Sequence, residues 1–225
     1  MLRRMGRRGS RVWTIGGACV IALTLAAAAF ADKQPIRLTA AGTAAAKAAV
    51  IKRSDLGTAP GWKGGFKKVD NSGPDCANFN PKDSDLVLNG QAETDWMNGA
   101  FDIDSEADVL ATSRMVRLDW QREVLNAHFM PCLAQGFESG LPKNLHFVSI
   151  RRQAFPALTS MTRAYRLLTD VPTAAGTVRL MTDIVVIGRG RTELTLSTTA
   201  PFAGHAAVEA AETRLALLMT SRVQL

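Results

Sequence analysis

The residues best suited to chemistry in this chain are an alternating run of carboxylates, Asp102-x-Asp104-x-Glu106-x-Asp108, the cysteines Cys76 and Cys132, and three widely spaced histidines, His128, His146 and His205. Alternate carboxylates can point at one hard cation such as calcium. As an EF-hand loop the run fails, because Ala107 stands where the sharp turn needs glycine and Ser113 where the bidentate glutamate belongs. The expectation is a solvated loop and strand edge, with no metal site and no cofactor. The histidines fall on three different predicted elements, and no G-x-S-x-G elbow, H-E-x-x-H pair, phosphate-binding loop or G-x-G-x-x-G fingerprint is present. No catalytic residue is nominated, and a non-enzyme is expected. A hydrolase-type enzyme is the third-ranked reading, because it would need a histidine brought within reach of a serine or carboxylate in a cleft.

How the cysteines behave depends on compartment. Arg3, Arg4, Arg7, Arg8 and Arg11 lead into the uncharged stretch 12–31, apolar over 12–25, which closes on Ala29-Phe30-Ala31 directly before Asp32-Lys33. A positive start, an apolar middle and an A-x-A ending are the three parts of a cleavable export signal, 1–31, and place the protein on the extracellular side of the cytoplasmic membrane. The rivals are an uncleaved anchor, since about 20 apolar residues cross a hydrocarbon core, and lipidation at Cys19, where Gly16 stands in place of the leucine-like residue of a lipobox. In an oxidising space the remaining pair, Cys76 and Cys132, is most simply a disulfide. It would close a loop of about 56 residues, worth about 4 kcal/mol on the chain-entropy model. Free thiols are the alternative. A metal site ranks lower, with no histidine or further cysteine at ligand spacing.

The net charge of +7 belongs mostly to the signal: without its five arginines the 27 basic residues become 22 against 20 acidic, a net of +2. No nucleic-acid surface is expected, since phosphate binding needs a clustered positive field. The groups Lys63-Lys67-Lys68, Lys143, Arg151-Arg152 and Arg189-Arg191 read as solvated faces, or as contacts to an anionic surface where two converge. A membrane is a partner only if the signal stays uncut.

These residues must be positioned by a single α+β domain, 43–225, behind a flexible tether, 32–42, because no linker or fixed-period repeat divides the chain. Helical spacing predicts a first helix over 43–53. Loop rich in glycine and proline follows over 57–85, with a short strand at 65–69. Strands at 86–96 and 106–111 flank Asn98-Gly99, a favoured hairpin turn pair. Ser113 caps a long helix ending at Gly140, with Met115, Leu118, Leu125, Phe129 and Cys132 on one face. Pro131 bends that helix near His128 or divides it in two. Four strands, 145–155, 163–171, 177–187 and 191–199, are joined too tightly to be anything but antiparallel. In the third, Val178, Leu180, Thr182, Ile184 and Val186 share a face opposite Arg179 and Asp183, the pattern of a sheet covered on one side. A closing helix, 205–222, brings Val208, Ala211, Leu215 and Leu218 to that sheet. The expected architecture is an antiparallel sheet with a kinked central helix and a C-terminal helix packed on it, and one disulfide tying the loop to the central helix.

Trp62, Trp96, Trp120 and Tyr165 suit either a core or the wall of an apolar pocket. Trp62, after Ala59-Pro60-Gly61, is the best placed for exposure, and Trp62, Phe66, Trp96 and Tyr165 are nominated as an apolar ligand groove. A first helix ending in Ser54-Asp55-Leu56, the Gly61-Trp62 turn, the Cys76 and Cys132 pair and an antiparallel sheet closed by a helix together resemble secreted actinobacterial-type sensor domains, the PknH-like extracellular and LpqN-like group with the Mog1/PsbP-like fold. The chain departs from that group in having one possible disulfide where kinase sensor domains have two, and in lacking a kinase and a lipobox. The resemblance implies a non-catalytic envelope module with a groove beside the sheet for a lipid or wall fragment. The function expected is a secreted or cell-surface binding or sensor-like module for an apolar or envelope ligand. The alternative is a structural or protein-interaction component of the cell envelope.

Overall fold

The computed structural model describes residues 33–69, 76 and 78–224. The export signal, its cleavage site at Ala29 and Ala31, and Cys19 lie outside them. In chain order the elements are α1 (Ala40–Ala49), a 3-10 turn (Arg53–Leu56), β1 (Lys63–Lys67), β2 (Leu88–Asn98), β3 (Phe101–Leu110), α2 (Ser113–Arg122), α3 (Phe129–Gly140), β4 (His146–Gln153), β5 (Met161–Thr173), β6 (Gly176–Arg189), β7 (Thr192–Pro201) and α4 (His205–Arg222). The strands form one sheet in the order β1-β2-β3-β7-β6-β5-β4, with every neighbouring pair antiparallel. A disulfide joins Cys76 to Cys132.

β3 begins five residues earlier than the sequence predicts and β2 lies two residues further towards the turn, because the Asn98-Gly99 turn lets pairing begin immediately at Asn98 and Phe101. Gly99 takes φ +63° there, a left-handed value that glycine adopts without steric cost. The predicted long helix is two helices. Thr112, one residue before the predicted cap, accepts the Met115 N–H at 3.2 Å, and the chain leaves helical pairing after Arg122. Pro131 then falls in the first turn of α3, where its missing N–H has no intrahelical partner to lose.

The predicted tether is docked. Arg37 and Thr39 donate backbone hydrogen bonds to Leu88 and Asn89 at 2.8 Å, and Thr39 caps α1 by accepting the Gly42 N–H at 2.9 Å. α1 then lies so close on β2 that a Cβ on Gly42 would sit 2.2 Å from the Asn89 carbonyl oxygen, and one on Gly90 2.0 Å from the Gly42 backbone. Only glycine allows two backbones to approach this closely.

The sheet is covered on both faces, correcting the one-sided reading of β6. On the first face, α1 and α4 close over Ala92, Ala107, Ala164, Val185, Leu194 and Leu196. On the second, α2, α3 and the disulfide close over Tyr165, Leu167, Ile184 and Val186, with Trp120, Phe129, Leu133 and Phe137 from the helices. The chain between β3 and β4 supplies that second layer, so Met181 and Asp183 on one side of β6 and Ile184 on the other are all 0–1% exposed. Aromatic rings surround the disulfide, Phe129 lying 5.9 Å from Phe79 and 5.4 Å from Tyr165 between centroids.

Candidate functional site

The strand pairings bring a band of carboxylates together on the second face. Across β2 and β3, Glu93 faces Glu106 and Asp95 faces Asp104, with Met97 opposite Asp102 and Gln91 opposite Asp108. Across β3 and β7, Asp108 faces Glu193. α2 adds Asp119, and Glu123 follows at its end, because Val116, Asp119, Trp120 and Glu123 fall on its sheet-facing side at steps of three and four. Asp102, Asp104 and Glu106 are 7%, 8% and 4% exposed, on the third of seven strands. The expectation of a solvated loop and strand edge is therefore corrected: carboxylates disfavour strands locally, but here both neighbours of β3 pair along its whole length.

Directly opposed like charges destabilise a sheet. One cation eases part of the band: Lys67 Nζ lies 2.9 Å from Glu93 Oε1 and also pairs with Asp104. Lys67 is therefore not the solvated face charge predicted. Burial works against its ammonium, but the hydrogen bonds and charges of Asp104 and Glu93 outweigh burial and raise its pKa above the ordinary lysine value. Burial pushes the Glu93 carboxyl up to about 7 against the pull of Lys67. Burial and then the charge of Asp95 take Asp102 to about 7. Burial and then Asp119 do the same for Asp108. Glu106, Glu123 and Glu193 are raised well above the usual glutamate range, by burial first and then by neighbouring carboxylates. Burial and mutual repulsion thus both oppose full ionisation of the band.

The nominated groove residues divide between the two faces. Trp62 and Trp96 pack on the first-face core, and the Trp96 Nε1–H donates to the Ile51 carbonyl at 3.1 Å. Phe66, opposite Thr94, shares that face and is 59% exposed, with Lys47 Nζ 5.9 Å from its ring centroid. Tyr165 is buried on the second face against Phe129, so the four do not line one surface. Trp120 is core, with the Arg163 guanidinium 5.8 Å from its ring centroid. Arg166, on the other face of β5, pairs with Asp183. The histidines stay apart, before α3, at the start of β4 and at the start of α4.

No protein-family model matches the chain, and no curated protein matches it by sequence. Solved structures do resemble it. The extracellular domain of PknH from Mycobacterium tuberculosis superposes with a TM-score of 0.40 at 10% identity, covering 78% of this chain and 95% of that one. An Rv0999 orthologue from Mycobacterium smegmatis gives 0.38 at 10% identity over 78% and 98%. LpqN of Mycobacterium tuberculosis, involved in cell envelope biogenesis, gives 0.31 at 12% identity over 71% and 88%. No helix among the described residues is long and apolar enough to cross a membrane.

Proposed function

We propose that this chain is a non-catalytic binding module working outside the cytoplasm, and that it takes an apolar or amphipathic envelope ligand on the first face, at the β1 edge of the sheet. The observation that carries the reading is Phe66: a large aromatic side chain, 59% exposed on an edge strand, sharing its face with Trp96 and with a lysine ammonium over its ring. Clustered exposed apolar surface marks interaction sites, and an adjacent cation suits a ligand with an anionic head. The Cys76–Cys132 bond supports an oxidising compartment.

Calorimetry of the purified protein against envelope lipids and glycans tests the reading. Saturable binding that Phe66→Ala weakens is the expected result; no saturable binding to any of them counts against it. Intact-mass measurement of exported protein tests the compartment, through cleavage after Ala31 and the loss of two hydrogens at Cys76 and Cys132. The protein-interaction alternative draws on β1 being an edge strand able to accept an added strand. Recovery of a stable protein partner without any ligand response would favour it.

A further inference from the structure

Five carboxylates meet where α2 crosses the second face. Asp83 comes from the loop before β2, Asp108 from β3, Asp119 from α2, Glu123 from the residue that ends it, and Glu193 from β7. One carboxylate oxygen each from Asp83, Asp119 and Glu123 lies within 4.8 Å of the other two. Two oxygens on opposite sides of a calcium ion, each at about 2.4 Å, are about 4.8 Å apart, so the spacing admits one ion among the three. Asp108 and Glu193 oppose each other across β3 and β7, and the charges of Asp108, Asp119 and Glu123 all bear on Glu193.

Two further observations separate this place from a crowd of surface acids. Asp119 is 9% exposed, and its carboxyl lies within hydrogen-bond reach of the Glu193 carboxyl, an approach of two acids that requires a shared proton or cation, while its Oδ1 meets no donor. Glu106, two residues along β3 from Asp108 on the same face, is 4% exposed, and its Oε1 also meets none. A buried carboxylate is stable in its charged form only when paired or bound to a metal. The nearby guanidinium of Arg122 is held elsewhere, by Asp85 at 2.6 and 3.1 Å and by the Lys82 carbonyl at 2.6 Å. Asp108 has the Gln91 side chain as a hydrogen-bond partner.

The geometry points to a divalent-cation site at Asp83, Asp119 and Glu123, completed by Asp108, Glu193 and water, that takes calcium. The donors are all carboxylate oxygens, which suit a hard cation rather than zinc, and calcium accepts six to eight of them in flexible geometry. Magnesium keeps most of its water and uses one or two carboxylates, so it fits a cage of five poorly. The site lies on the face opposite Phe66 and is independent of the ligand reading there.

Thermal unfolding of the purified protein tests the site. At about 10 mM calcium the expected result is a saturating rise in Tm of about 5 °C, a smaller rise with magnesium, and none with potassium chloride at equal ionic strength. Asp119→Asn combined with Glu193→Gln relieves like-charge repulsion, and should fold and lose the calcium response. Terbium, a calcium stand-in, should give luminescence sensitised by Trp120 that calcium displaces. The proposal is overturned by no calcium shift in the unsubstituted protein, by a shift that potassium chloride matches or the double variant keeps, or by no displaceable terbium signal.

Discussion

On the first face, Asp183 receives Arg166 through two hydrogen bonds across β5 and β6, and Asp55 receives Arg222 in the same two-pronged way; on the second, Glu93 and Asp104 share Lys67. The planar guanidinium fork matches a carboxylate atom for atom. The first-face pairs accordingly fasten structure: Arg222 and Arg214 on α4 hold the 50–55 segment, and Glu209 reaches Arg166 from the same helix. A lysine offers one point charge, and several second-face carboxylates have none. Where a guanidinium grips a carboxylate, charge builds the fold, and where acids outnumber bases, as along β3, they are left to protons or to cations from solution.

The comparison breaks most visibly at Arg166. Arg166→Ala strands Asp183 in the core and is expected to cost about 3–5 kcal/mol by urea denaturation; a loss under about 1 kcal/mol would mean that the pair adds nothing beyond its own desolvation.

Next comes pH. Glu212 is raised from 4.5 to about 8, by burial first and then by the charge of Asp183, against its bond from Thr198. The folded state therefore keeps a proton that the unfolded chain releases. Its contribution to stability is complete below about 4.5 and is lost as pH rises through about 8, a change of the order of a few kcal/mol. Denaturation midpoints across that range should fall with rising pH, and Glu212→Gln should flatten the slope.

On the second face, Lys67→Met should destabilise by about 2 kcal/mol, because it strips the compensating charge from Glu93 and Asp104. The smallest effect has the opposite sign. Asp102→Asn should stabilise by about 1 kcal/mol near pH 8.5, above the Asp102 pKa, and be neutral near pH 5, where the aspartic acid already holds its proton. A destabilising Asp102→Asn at the higher pH would show that this carboxylate has a partner after all.

The α+β class, the antiparallel C-terminal meander, α4 and the disulfide were legible in the sequence, because tight turns, strand alternation and a lone cysteine pair are local signals. The acidic band was only half legible. Asp102 and Asp104 read as loop because strand propensity is low there, yet the Asn98-Gly99 turn fixes the register that sets Glu93 against Glu106 and Asp95 against Asp104. Running that hairpin register outward would have found the β2 side of the band. Glu193 and Asp119 arrive through β7 and α2, whose positions over β3 depend on tertiary packing, and no local pattern foretells them. Tyr165 was misgrouped with Trp62 and Trp96 for a related reason, since nothing nearby in sequence indicates which face of a doubly covered sheet a strand residue will meet.

The seam between β3 and β7 joins the two halves of the sheet, pairing Asp102 with Thr199 and Asp108 with Glu193. Those partners are distant along the polypeptide, so the N-terminal hairpin and the C-terminal meander can each zip up on their own, while the seam must wait until β7 has been delivered. Until then the chain would hold two incomplete sheets with open flanks. It would acquire both its closed sheet and the apposition of Asp108 with Glu193 in a single late docking event.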